Sequence, residues 1–568
     1  MTCEPAAWPS PGSVPHLLDE TVGRDGTAPA VRFADTSLSY AQLRRRVHGA
    51  VRYLDTVFDD IMLDDTVFDD TALDTVLDDA ALDDTVLNDT AADDTALDDC
   101  SPVALVGPTS YPWVLAFLAV VCSGRAAVPI DAALDAQTVA LMARRAGAQL
   151  VLVDGPAQAS ALSAAGLTSV DLTQVATAAE ADERPEDASL AALGRVTPEA
   201  LAVKIFTSGT AGVAKLVHLS HDNLASNAAA SAAMVAGLDE ITIVAVLPLH
   251  HLYGLNTTVV TAFLVGATVC FGDGPRRVAR DMARFAPHIL VVVPMVVQGM
   301  YQAVWREAER TGRTRSLRRA VKVSNLLRKV GIDIRRWLFG SIHRSFGGRL
   351  QIVVSGGARL APQYVTGFDD LGLEVLVGYG ITECSPLVSF NRRGASRPGT
   401  VGQLAAGVRV TIVDDEICVG GPGVMVGYDT SEHTEQAVVD GWFRTGDKGQ
   451  LDADGYLTIT GRLKSLIIGP DGNNVDPEEI EQALAEHEIV ESVLVMGTDE
   501  KIVALVHPSS QAQGLTATEV AAEVDLLVAD HNRRVPAYKR IYRAEVVGEP
   551  FERTSLGKVK RYLYSRQP

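Results

Sequence analysis

Short β-branched apolar runs alternate with amphipathic stretches along most of this chain. PVALVG (102–107), VPID (128–131) and LVLVD (150–154) read as buried strands, and YPWVLAFLAVVCSG (111–124) and AQTVALMARRAGAQ (136–149) as the helices between them. The alternation resumes in the apolar runs at 241–247, 267–270, 289–293 and 351–354, each separated from the next by helical sequence. It predicts an α/β fold with mainly parallel sheets flanked by helices. Residues 38–54 keep apolar positions at helical spacing behind Ser39, a candidate N-cap. Beyond Asp447 the segments shorten, through YLTITGR, SLIIG, EEIEQALAEH, VESVLVMG and KIVALVHP. A large domain over 1–462, followed by a small, mobile α+β domain over 463–568, is the organisation expected.

Residues 55–99 break the pattern. LDDTVFDD (63–70), LDDTVL (82–87) and ALDDC (96–100) trace an imperfect five-residue repeat. At about 100° per residue, a step of five carries an apolar pair roughly 140° around a helix, so no single face collects it. The segment holds seventeen Asp and no Lys, Arg or Glu, so like charges repel along it. A solvated, disordered insert is the expectation; a short β-solenoid, an acidic docking surface or a Ca²⁺ site lacking the usual glycines are alternatives. Splicing residue 54 to residue 100 is expected to leave catalysis intact.

The net charge of −21 changes meaning in this light, because the Asp-rich segment carries all but four of those charges. The acidity argues against nucleic acid as a partner. Length alone, at 568 residues, implies roughly two to four domains. Six scattered cysteines with no CxxC pair predict a reduced, cytoplasmic setting without a disulfide framework or zinc site. The opening MTCEPAAWPSPGSVPHLLDE has neither a basic start nor an apolar core, so no signal peptide is expected, and Gly124 and Arg125 cut short the longest early apolar run. Residues 301–350 run the other way, with thirteen Lys or Arg against three acids. They read as basic helices: either a solvated hairpin, or a landing site for a CoA phosphate, an acidic carrier protein or a membrane surface.

Candidate chemistry begins at IFTSGTAGVAKLV (205–217), where an apolar strand feeds a loop of glycines and hydroxyls ending on Lys215. Such a loop can bring main-chain N–H groups, hydroxyls and one cation to a phosphate chain, although it lacks the GxxxxGK[ST] pattern. LPLHHLYG (247–254), VSGGARL (353–359), GYGITECSP (378–386), RTGDKG (444–449), GRLKSLIIGPDGNNVDPEEIE (461–481) and RTSLGKVKR (553–561) follow in that order. Singly, each is a turn or a cap. Together they resemble the adenylate-forming (AMP-binding) superfamily, and within it the long-chain fatty acyl-CoA synthetases and acyl-carrier-protein ligases.

The resemblance implies ATP-dependent activation of a fatty acid to acyl-AMP, with release of pyrophosphate and transfer to a thiol. It implies that Thr207, Ser208, Gly209 and Thr210, with Lys215, hold the phosphates, and that Thr207 and Glu383 flank Mg²⁺. Gly357 and Ala358 would line the adenine, Tyr379 beside Gly380 would stack on it, and Thr382 would reach the α-phosphate. Asp447 and Arg462 would take the ribose, His251 would lie near the acyl carboxylate, Lys558 would bridge the two reacting anions, and Lys464 would be the hinge. CoA is the implied acceptor, with an acidic acyl carrier protein bearing phosphopantetheine as the alternative, and a non-catalytic adenylate-binding scaffold as a third reading. Against the pattern TSGTTGxPKG, Ala211 replaces a threonine, Ala214 a proline and Leu216 a glycine, so weaker or slower use of ATP is expected.

Overall fold

The computed structural model describes residues 12–63, 101–182, 189–207, 214–274, 277–463, 466–468, 474–485, 487–498, 501–512, 514–554 and 558–564. Two large sheets form the bulk of the molecule. In the first, the order from edge to edge is Gly427–Tyr428, Lys215–Ser220, Leu201–Thr207, Ala127–Ile130, Val103–Val106, Leu150–Val153 and Thr168–Asp171. The last five of these are mutually parallel, and the first two are antiparallel additions.

The second sheet has nine strands, with a parallel centre of Thr268–Phe271, Thr242–Val244, Ile289–Val292, Ile352–Ser355 and Glu374–Gly380. These central strands are near-continuous Val, Ile and Leu because helices cover both faces. The α/β expectation holds. Helix Tyr111–Cys122 is buried on every side, with Trp113 and Phe117 at or below 1% exposure, as an all-apolar helix must be. Ser39 caps helix Tyr40–Leu63 reciprocally: its Oγ accepts from the Gln42 amide at 3.2 Å, and Gln42 Oε1 accepts from the Ser39 amide at 2.9 Å.

An antiparallel sheet follows, built on Glu416–Gly420, Trp442–Leu451 and Leu457–Arg462. Beyond it, strands Val490–Thr498, Lys501–Pro508 and Ile541–Val546 pack with helices Pro477–Ala485 and Ala517–Arg534 around a separate apolar cluster that includes Ile480, Leu484, Val495 and Val524. Among the described residues no helix is long and apolar enough to cross a membrane.

Several expectations need correcting. The strand expected over 241–247 is only Thr242–Val244, because the chain turns away to reach Pro248 and the histidine pair. The Asp-rich segment does not begin at a break in structure, since helix Tyr40–Leu63 runs through its first nine residues. Phe58 and Ile61 are buried there, and the Arg125 guanidinium lies 3.9 Å from the centre of the Phe58 ring. Asp55 bonds Arg195 at 2.8 Å and pairs with buried Arg125 at 3.6 Å, so this first aspartate is a structural partner rather than part of a solvated run. Residues 64–100, with the rest of the repeat, lie outside the described residues. Splicing at residue 54 would therefore remove core as well as insert.

Phe58→Ala should destabilise the protein by about 3–5 kcal/mol in denaturant titration. A loss below about 1 kcal/mol would show that the helix past residue 54 contributes no packing.

Candidate functional site

The two strands that carry Asp447 and Arg462 are antiparallel neighbours, and their register sets these residues directly opposite each other. Arg462 Nε donates to Asp447 Oδ1 at 2.7 Å. From the end of strand Glu374–Gly380, the Tyr379 hydroxyl donates to Asp447 Oδ2 at 2.7 Å. Three motifs separated in sequence thus meet on one carboxylate. Asp447 is itself pinned, its amide donating to Thr445 Oγ1 at 3.0 Å while the Thr445 hydroxyl donates to the Ile417 carbonyl at 2.7 Å. Burial first, and then the Asp447 charge, push the Tyr379 hydroxyl pKa well above its usual value, so it stays a donor.

These residues line a cavity of about 1520 Å³ together with Gly357, Ala358, Gly380, Gly461 and Lys558. Gly357 has φ of 83°, a left-handed conformation that lets bare backbone follow strand Ile352–Ser355 into the cavity wall. A Cβ at Gly380 would collide with the Pro386 carbonyl, so the turn there also requires glycine. Lys558 still reaches solvent, but both cavity walls crowd it, and this desolvation together with Arg462 lowers its pKa. Its charge is also felt at His251.

A second cluster centres on Glu383. The turn Thr382–Cys384 buries this carboxylate to 8% exposure, and Tyr428 donates to its Oε1 at 2.8 Å. The Lys215 ammonium lies 4.4 Å from the centre of the same Tyr428 ring. Burial raises the Glu383 pKa, opposed by the Tyr428 hydrogen bond and by the charges of Lys215 and Arg462. The turn is held from behind by buried amides. Asn227 Nδ2 donates to the carbonyls of Cys384 (3.1 Å) and Leu387 (2.9 Å), and Asn256 Nδ2 to those of Asn227 (side chain, 3.0 Å) and Ser385 (2.7 Å). Asn256 opens a π-helical turn, Asn256–Val260, directly after the short helix Leu252–Leu255 that follows the histidine pair.

His251 precedes that helix, its ring 4.4 Å from that of His250. Burial, then His250, and then Lys558 lower its pKa to about 3, so its ring is neutral at physiological pH. His250 Nε2 lies 3.4 Å from Asp131. Thr207 ends its strand opposite Lys215, and its hydroxyl donates to the Lys215 carbonyl at 3.4 Å. Ser208, Gly209, Thr210 and Ala211 lie outside the described residues, as does Lys464. Leu216 is a buried strand residue paired with Phe206 and packed beneath the sheet, so its side chain belongs to the core.

Sequence reasoning missed four partners. Tyr428 and Asp131 gave no signal, because an isolated Tyr or Asp carries no pattern. Arg359 closes onto Asp476 at 3.5 Å, across the cavity. Glu481 accepts from the Val495 amide at 2.7 Å and pairs with Arg561, whose Nη1 also donates to the Val495 carbonyl at 3.1 Å. That pair fastens the segment carrying Lys558 to helix Pro477–Ala485; its only trace in the sequence is a charge within each of two quoted motifs.

The model of the AMP-binding enzyme family matches residues 96–429, and that of the AMP-binding enzyme C-terminal domain matches residues 464–567. The chain belongs to the AMP-binding enzyme family. It is 29% identical over 520 residues to the long-chain-fatty-acid–CoA ligase FadD15 of Mycobacterium bovis, spanning 82% of this chain and 86% of that one. It is 27% identical over 387 residues to the long-chain-fatty-acid–CoA ligase of Salmonella typhimurium, spanning 64% and 61%. The fold matches the anthranilate CoA ligase AuaEII in complex with anthranoyl-AMP, with a TM-score of 0.74, 18% identity and coverage of 98% and 97%. It also matches ATP-bound MatB from Rhodopseudomonas palustris, with a TM-score of 0.69, 21% identity and coverage of 97% and 98%.

Burial outweighs Arg561 at Glu481 and pushes its pKa up to about 7. A raised carboxyl pKa means the native state holds a proton that the unfolded chain has lost, so this group's contribution to stability falls as pH rises from about 4.5 to 7. Chemical denaturation across that window should therefore show wild type losing stability relative to Glu481→Gln, and a flat difference would contradict the shift. Separately, Leu216→Gly, which restores the usual loop residue, should cost about 3 kcal/mol or more in unfolding free energy by opening a core cavity; a stabilised variant would place Leu216 outside the core.

Proposed function

We propose that this chain is an AMP-forming acid–thiol ligase that activates a fatty acid with ATP and passes the acyl group to CoA. The observation that carries this reading is the convergence of Tyr379, Asp447, Arg462 and Lys558 on one cavity behind the bare Gly357–Ala358 turn. An aromatic face, a backbone edge, a carboxylate fixed in place and a mobile cation are what an adenine, its ribose and a developing phosphorane require.

In this reading Gly357, Ala358, Tyr379 and Gly380 hold the adenine. Asp447 accepts from the ribose hydroxyls while Arg462 orients it. Thr207, Ser208, Gly209, Thr210 and Lys215 hold the phosphates, and Thr382 faces the α-phosphate. The fatty carboxylate attacks that phosphorus, the bond to the bridging oxygen breaks, and pyrophosphate leaves with the electron pair. Lys558 spans both anions and offsets their repulsion. Neutral His251 borders the carboxylate without adding charge. A thiol then attacks the acyl carbon and AMP departs.

A single buried carboxylate fits Mg²⁺, which keeps waters and phosphate oxygens as its other ligands. Glu383 and Thr207 would hold it, and a cation there would offset the burial that raises the Glu383 pKa. We place the domain boundary between 462 and 463 with Lys464 as hinge, and the protein in the cytoplasm. The buried, unpaired Cys122, Cys270, Cys384 and Cys418 support the latter.

Lys558→Ala should reduce fatty-acid-dependent pyrophosphate release by at least about a thousandfold, while preformed acyl-AMP is still converted to thioester. Equal loss of both half-reactions would count against a role confined to adenylation. Assays with CoA and with a phosphopantetheinylated carrier protein, across a series of chain lengths, should give product with CoA; product with the carrier alone would reassign the acceptor. No fatty-acid-dependent pyrophosphate release at any length would leave only an adenylate-binding scaffold.

A further inference from the structure

The basic region contains a face that the proposed reaction does not use. Helix Thr314–Arg328 is fastened on its inner side. Leu317, Ala320 and Val321 pack on an apolar cluster, Asn325 donates to Asp370 at 2.7 Å, and Arg328 pairs with Asp369 at 2.8 Å. Arg335 joins the same Asp369 at 2.8 Å, fixing the turn that follows.

The outer side is different. Arg315, Arg319 and Lys322 stand on it at helical spacing and form no ion pair among the described residues, nor does Lys329 beyond them. At its far end Val323, Leu326, Val330 and Ile332 are at least half exposed, and Trp337 is 82% exposed, more than any other large apolar side chain described. Between 313 and 337 there are nine Lys or Arg and one Asp, in a chain whose net charge is −21. A rigid platform thus presents an apolar tip containing a tryptophan, collared by cations.

We propose that the face formed by Val323, Leu326, Val330, Ile332 and Trp337, with its collar of Lys322 and Lys329, docks the enzyme on an anionic lipid surface. Charge complementarity selects this occupant over a second copy of the chain, whose overall charge is negative but whose corresponding face would repel this one. Trp337 suits the boundary between headgroup and acyl chain, and the aliphatic tip suits the layer beneath it. The lysines and arginines then lie level with the phosphates. The inference borrows from the proposed function only its motive, a substrate that partitions into bilayers; docking itself needs no catalysis.

The test is co-sedimentation of the full chain with phosphatidylcholine vesicles, with and without phosphatidylglycerol. Binding should require the anionic lipid and reverse at high salt. Lys322→Glu with Lys329→Glu should weaken partitioning by about tenfold or more. Leu326→Ser with Trp337→Ala should lower it comparably while leaving the salt dependence in place. All variants should keep wild-type melting temperature and wild-type activation of a short, water-soluble acid, which separates failure of docking from failure of the proposed reaction. Wild type that remains in solution with anionic vesicles at low salt, variants that sediment as wild type does, or lipid-free self-association abolished by Trp337→Ala would each overturn the proposal.

Discussion

The carboxylate of Asp447 is the constraint on which the site depends. One oxygen receives Arg462 from the neighbouring strand and the other receives Tyr379 from the end of the nine-stranded sheet. Strand register alone aligns the first pair; the second requires two separate sheets to approach within hydrogen-bond distance. Because the carboxylate is almost fully buried, each partner also relieves the desolvation of an anion, which makes the three mutually dependent. A change in how the sheets pack would be felt here before it was felt in either core.

The Glu383 cluster follows a second logic. Its turn closes on short backbone bonds from Cys384 to Ile381 and from Ser385 to Thr382, and the buried side chains of Asn227 and Asn256 donate to the carbonyls of Cys384, Ser385 and Leu387. The site is therefore rigid where the backbone is irregular. Glu383 and Lys215 meet at one tyrosine, which gives its hydroxyl to the carboxylate and its ring face to the ammonium.

Much of this was legible in the residues. Continuous apolar runs marked the parallel strands and the buried helix Tyr111–Cys122, because elements covered on every face admit little else. The order of the short motifs marked Tyr379, Asp447, Arg462 and Lys558. What stayed hidden were residues whose meaning lies in a partner far away in sequence. Tyr428 touches Glu383 across 45 positions and Arg561 reaches Glu481 across 80, and neither separation leaves a periodic trace. Composition also misled at one point: Asp55 and Phe58 belong by their neighbours to an aspartate repeat, yet their burial and pairing belong to the core.

The π-helical turn at Asn256–Val260 carries one consequence for how this segment tolerates change in length. A wide turn holds one residue more than an α-helix would over the same rise. Loss of a single residue would restore ordinary pitch and swing Asn256 roughly 100° around the axis, away from the Ser385 carbonyl. The stretch between the histidine pair and Thr261 therefore has its length fixed by the needs of a different motif, 129 positions downstream.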